Sequence, residues 1–190
     1  MTWLWASETD KAIIQEIETQ TDRAAALIAV AYLEERLRSA LDARTHRHAN
    51  VEKEIYRSSG PLGSFSAKID LALLLGIIEP KVHKFFHTIK DIRNVFAHQA
   101  EPRDFNTQKI RDLSNNLTFN ADIRITTTGD DPINFLLDPD GTPRTAFMNA
   151  IKLLLLVLDL EIKSLPLRQP PPPLFAFDVM QASSAPKAVR

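Results

Sequence analysis

Residues 83–98 hold the side chains most able to do chemistry. His83, His87, Asp91, Asn94 and His98 recur every three or four residues, with Arg93 beside them. That spacing puts them on one face of a helix. Histidine exchanges protons near neutral pH, and the arginine fork matches phosphate oxygens. Asn94 is one turn before His98 and is spaced to orient its imidazole. Together Arg93, Asn94 and His98 offer metal-independent cleavage of RNA: His98 moves the proton and Arg93 stabilises charge on the phosphate. The plainer reading of the same residues is structural. In it Arg93 pairs with Asp91 or Asp22, and His98 ends a helix against a backbone carbonyl.

His83, His87 and Asp91 also have a spacing that a divalent metal can use. No HExxH arrangement accompanies them and the chain has no cysteine. The expectation is therefore no resident metal and no cofactor. A second constellation is Gly60-Pro61-Leu62-Gly63-Ser64-Phe65-Ser66-Ala67-Lys68. A glycine turn that opens a helix presents free backbone N–H groups to an anion. Arg23, Ser64, Ser66 and Lys68, with Arg93, are the candidate lining of an anion or ligand pocket. The Gly-Lys-Ser/Thr ending of a Walker loop is missing, and a well-capped helix start explains the segment equally. Arg44, His46, Arg47 and His48 form a small basic cluster, read as a solvated loop.

These side chains need a scaffold. Val82, Phe85, Ile89, Ile92 and Phe96 give the helix of about 80–98 a buried stripe. Helices are also expected at about 8–19, capped by Ser7 with Trp3 and Trp5 before it, and at about 22–43, capped by Thr21 or Asp22. The first expects Ile13, Ile14 and Ile17 inward. The second is apolar almost all round from Ala24 to Leu33, as a central bundle helix is, and spaces Glu34 to pair with Arg38. Further helices are expected around 51–56, at about 65–76, at about 106–117 with Ile110, Leu113 and Leu117 inward, and at about 144–164. Glu101-Pro102 breaks the chain between two of them. Ile123 and Ile125 alternate with polar residues and face Ile133–Leu137 across a glycine turn, which predicts a small β-hairpin at about 121–137. Asp138-Pro139-Asp140-Gly141 is a second turn. The fold class is all-α, a compact helical bundle at 1–165, followed by a proline-rich arm at 166–190. Pro170–Pro173 make that arm extended, and Leu174, Phe175 and Phe177 give it aromatic and aliphatic groups to dock.

The chain has 190 residues, 44% hydrophobic and 25% charged, with a net charge of −1. One domain with a sizeable core fits that length. The balanced charge lacks the basic footprint of a nucleic-acid binder. Met1–Asp10 has no basic start or long apolar run, so no secretory signal is expected. The apolar runs at 71–78 and 153–158 fall short of the roughly 20 residues a bilayer requires. A cytoplasmic protein without membrane contact is the expectation.

The order of several segments resembles the mannitol operon repressor family. They are Thr21-Asp22-Arg23-Ala24-Ala25-Ala26-Leu27, Tyr32-Leu33-Glu34-Glu35-Arg36-Leu37, Gly60 to Ile69, Ile92-Arg93-Asn94-Val95-Phe96-Ala97-His98 and Pro143-Arg144-Thr145-Ala146-Phe147. The resemblance spans about residues 8–164. It implies an all-helical, noncatalytic regulator of transcription of a sugar-alcohol operon. Such a protein has no recognisable helix-turn-helix and acts through a regulatory protein partner, as a homodimer, with nucleic acid engaged indirectly or weakly. Segment 118–144 and the proline-rich tail depart from that compact pattern. Arg93-Asn94 and His98 also resemble the signature of HEPN domains. That resemblance implies a dimeric, metal-independent endoribonuclease with Arg93 and His98 catalytic and Asn94 in support.

Overall fold

The computed structural model describes residues 8–98, 104–117, 123–125, 133–135 and 141–164. Seven helices and a strand pair follow in order: α1 Glu8–Glu18, α2 Asp22–Arg44, α3 Ala49–Tyr56, α4 Phe65–Leu74, α5 Pro80–His98, α6 Gln108–Asn115, β1 Ile123–Ile125, β2 Ile133–Phe135 and α7 Pro143–Ser164. The fold is an all-α helical bundle. The strands pair antiparallel, with Ile123 opposite Phe135 and Ile125 opposite Ile133. They lie within the segment of the expected hairpin, for which the sequence specified no register. The Ser7 cap, Trp3, Trp5, the Glu101-Pro102 break, the residues joining the strands, Asp138–Asp140 and the arm at 166–190 lie outside the described residues. Among the described residues, no helix is long and apolar enough to cross a membrane.

α2 is the hub, packing against α1, α4, α5 and α7. Its buried positions are Ala25, Ala26, Ala29, Val30, Leu33, Leu37, Ala40 and Leu41. Small residues in that stripe let neighbouring backbones approach, and leucines fill the gaps further along. The side chain of Thr21 accepts the Ala24 N–H at 3.4 Å and starts the helix. Contrary to the all-round apolar expectation, Ile28 is 39% exposed. Four neighbours cover only part of the cylinder. Glu34 and Arg38 do not pair with each other either. Glu34 turns to Lys68 at 2.5 Å, and Arg38 lies 3.8 Å from Asp42 and 4.3 Å over the Tyr56 ring.

α5 buries Phe85, Phe86, Ile89, Ile92, Val95 and Phe96. This stripe is wider than the predicted one because α5 meets α2, α4, α6 and α7 at once. Val82 only packs at its edge. Ile14, Ile17, Ile110 and Leu117 are buried as expected, with Ile13 and Leu113 partly so. α6 itself is shorter than expected and stops before Leu117.

Phe105 links three elements. Its ring centroid lies 5.2 Å from that of Phe96, edge to face, and 5.2 Å from that of Phe147, tilted. Such pairs add about 0.5–1.5 kcal/mol beyond the area they bury. The Phe105 N–H is held by Asp22 Oδ2 at 2.8 Å. The other Asp22 oxygen takes the Arg144 guanidinium, which also donates to the carbonyls of Gln20 at 2.8 Å and Glu18 at 3.0 Å. One carboxylate thus closes the junction of α1 and α2 onto the start of α7. A second polar clasp joins α1, α2 and α7: Tyr32 donates to Asp10, and Arg36 reaches Asp159 at 3.1 Å. Burial, reinforced by that acceptor, pushes the Tyr32 hydroxyl well above its ordinary pKa.

α4 ends in a closed turn. Gly76 has φ of 66°, its N–H bonds the Leu73 carbonyl at 3.0 Å, and the Ile77 N–H bonds Ala72 at 2.9 Å. This is the six-to-one and five-to-two pairing of a Schellman motif, which glycine enters without penalty.

The alanine stripe makes a prediction. Ala29→Leu forces a larger side chain into a site with no exposure and lowers unfolding free energy by about 1–3 kcal/mol. Ile28→Ala, one residue away, changes it by less than about 0.5 kcal/mol, as an exposed position should. Urea denaturation of both variants checks this.

Candidate functional site

The glycine corner is built by close backbone approach. A Cβ on Gly60 would lie closer than 3.0 Å to the carbonyl oxygens of Glu54 and Ile55, and one on Gly63 closer than 3.0 Å to those of Arg57 and Ser58. Only glycine lets the segment fold onto the end of α3. The Leu62 N–H bonds the Ile55 carbonyl at 2.8 Å, and Gly63 bonds Gly60 at 3.0 Å. The corner delivers Ser64, whose hydroxyl accepts the Ala67 N–H at 3.1 Å as the cap of α4. Phe65 then anchors edge-on against Phe86 of α5, with ring centroids 6.1 Å apart.

This packing leaves a cavity of about 370 Å³ between α2, the start of α4 and α5. Val30 and Glu34 line it from α2, Gly63 to Ser66 from the corner, and Lys90, Arg93 and Asn94 from α5. Lys90 Nζ donates to Ser66 Oγ at 3.0 Å and lies 3.3 Å from His87 Nδ1 and 3.6 Å from Asp91. Arg93 Nη1 donates to Asn94 Oδ1 at 3.1 Å. Two cations, two hydroxyls and the N-terminus of α4 therefore surround one hollow. That is the chemistry of anion recognition.

The two sequence constellations thus meet: Ser64 and Ser66 from one, Arg93 and Asn94 from the other. The remaining candidates do not join them. Lys68 is only 6% exposed and spends its charge on Glu34 behind the cavity wall. Arg23 is half-buried on α2 and is not part of the lining. His98 is exposed at the end of α5, also outside it. Five residues along a helix separate two side chains by about 140° around its axis, so Arg93 and His98 leave α5 in different directions. Asp91 and Asp22 are not the partners of Arg93: its guanidinium takes Asn94, and Asp22 takes Arg144.

Lys90 and Glu34 are lining residues that motif reading missed. Lys90 was within reach of that reading, since it precedes Arg93 and Asn94 by three and four residues and so shares their face. Glu34 was not, because its partner comes from another helix. The basic cluster begins on the last residue of α2, and His46, Arg47 and His48 stay exposed, as expected of a solvated loop. Arg44 pairs with Glu161 at 2.6 Å, Arg47 with Glu52 at 2.9 Å, and His48 Nδ1 accepts the Val51 N–H at 3.4 Å to cap α3. Near it, burial and then Asp42 push the Tyr56 hydroxyl up to about 12.

Comparison with models of protein families, with curated proteins and with solved structures finds no match.

The Lys68–Glu34 pair gives a prediction. Lys68→Met leaves Glu34 half-buried and unpaired, and costs about 2 kcal/mol, discounted for its partial exposure. Adding Glu34→Gln restores most of that loss. A double-mutant cycle on thermal unfolding reads the coupling, and equal losses in the single and double variants would contradict it.

Proposed function

We infer that this chain is a noncatalytic regulatory protein of the mannitol operon repressor type, with the cavity between α2, α4 and α5 as its effector pocket. The observation that carries this reading is the convergence of Lys90, Arg93, Ser64 and Ser66 on one hollow that His98 does not line. The groups gathered there suit an anion, and no histidine is among the residues that line the hollow. A phosphorylated hexitol is the ligand class: its phosphate suits the two cations, and its hydroxyls suit Asn94 and Glu34. The net charge of −1 favours regulation through a protein partner over a grip on DNA. In this reading the protein works in the cytoplasm as a homodimer.

The HEPN-like alternative keeps one observation in its favour. Arg93 is hydrogen-bonded to Asn94, and Asn94 stands one turn from the exposed His98. In that reading the three act together on RNA.

Thermal unfolding with a hexitol phosphate, with inorganic phosphate and with the unphosphorylated hexitol tests the proposal. The phosphate ester at saturation raises Tm by about 5 °C, and Arg93→Ala or Lys90→Ala abolishes the shift while leaving the fold intact. No shift with any phosphate would overturn the pocket. Cleavage of single-stranded RNA in EDTA, lost in both Arg93→Ala and His98→Ala, would establish the ribonuclease reading in its place.

A further inference from the structure

His83 and His87 stand one turn apart on α5, with ring centroids 4.5 Å apart and planes at 66°. Sequence spacing offers Asp91 as their third partner. The fold supplies Asp70 of α4 instead, while Asp91 turns outward beside Lys90. Asp70 Oδ1 lies 2.8 Å from His83 Nε2 and 3.1 Å from His87 Nε2. The two Nε2 atoms are 3.2 Å apart. Among the described residues this is the group of histidines and acids whose donor atoms converge closely enough to hold an ion.

Protons alone leave this triangle unsatisfied. If both Nε2 atoms donate to Asp70, two N–H groups face each other across 3.2 Å. If one Nε2 accepts from the other, its lone pair faces the carboxylate oxygen. A neutral imidazole has one donor and one acceptor nitrogen, so one edge is always mismatched. A cation at the centre receives all three lone pairs.

We propose that Asp70, His83 and His87 form a divalent-metal site of zinc type that clips α4 to α5. With metal–nitrogen bonds of about 2.0–2.1 Å, neighbouring ligand atoms stand roughly 3.3 Å apart in a tetrahedron and roughly 2.9 Å apart in an octahedron. Two of the observed sides, 3.1 and 3.2 Å, fall in that range, and the third, 2.8 Å, sits just below the octahedral value. Two imidazoles and a carboxylate suit zinc and leave a fourth position for water. The side chains of His83, His87 and Asp70 are 23%, 28% and 58% exposed, so an ion enters from solvent. One adjustment accompanies loading. Metal on His87 Nε2 leaves the ring proton on Nδ1, which then no longer accepts from Lys90. Lys90 retains Ser66 and Asp91.

The site stands independently of the effector pocket. Full-length protein stripped with EDTA and dialysed is titrated with zinc by calorimetry and with cobalt by visible absorption. The expected result is one ion per chain, a cobalt spectrum of nitrogen and oxygen donors, and a higher Tm with zinc. Asp70→Asn and His83→Ala each weaken zinc binding by at least about tenfold, the scale that even a supporting partner contributes. Asp91→Asn leaves it unchanged. Circular dichroism verifies that each variant is folded, and His87→Gln replaces His83→Ala if that chain does not fold. Zinc affinity that survives in both Asp70→Asn and the histidine variant would overturn the proposal. So would a loss in Asp91→Asn as large as in Asp70→Asn, or the absence of any zinc heat and cobalt band.

Discussion

The packing of four helices around α2 is the constraint on which the rest depends. A helix can accept neighbours on several sides only if its own side chains leave room. Ala25, Ala26 and Ala29 provide that room where Thr21 and Asp22 start the helix, and Leu33, Leu37 and Leu41 fill the wider space beyond. α5 and α7 are thereby fixed relative to one another through α2 more than through direct contact. Polar ties then lock the ends. Asp22 binds the start of α7 and the segment before α6, and Arg36 and Arg44 bind its far half. Each tie joins residues far apart in sequence, so each contributes little until the helices are already packed.

The cavity is a by-product of how the glycine corner meets this hub. Gly60 and Gly63 bring the backbone against the end of α3, and this sets where α4 begins. Phe65 seats that start on α5. A polar hollow remains because the facing residues are Glu34, Lys90, Arg93 and Asn94 rather than aliphatic ones. Lys68 matters from outside the hollow. By neutralising Glu34 at 2.5 Å it lowers the repulsion an anion would otherwise meet at the α2 wall. The segment most conspicuous as a motif thus does two separate jobs: its glycines shape backbone, and its serines face the cavity.

Much of this was legible from periodicity. α5 runs over the residues its apolar stripe predicts, and α1, α2 and α7 begin or end within a residue or two of expectation. Each has strong patterning, and where their caps are described they carry a recognisable residue such as Thr21 or Pro80. Sequence reading already grouped Ser64, Ser66 and Arg93 around one pocket with Arg23 and Lys68; the first three line one cavity and the last two lie outside it. What sequence withheld is what depends on a second helix. Nothing local says that Lys68 turns inward to Glu34, that Glu34 ignores Arg38, or that Ile28 stays open. The choice of Asp70 over Asp91 is of the same kind. Helical spacing ranks Asp91 first because it sees only α5, whereas the packing of Phe65 on Phe86 brings α4 alongside and decides the matter.

Lys90 joins the two polar regions of α5. Its ammonium touches Ser66 in the cavity and His87 in the histidine corner. An ammonium has three protons and no lone pair, so it serves either neighbour only as a donor. When His87 presents Nδ1 as an acceptor, part of the charge is drawn toward the corner. When Nδ1 carries its own proton, that partner is lost and the cation is left to Ser66, Asp91 and the hollow. One ammonium therefore bridges the cavity and the histidine corner across a single side chain.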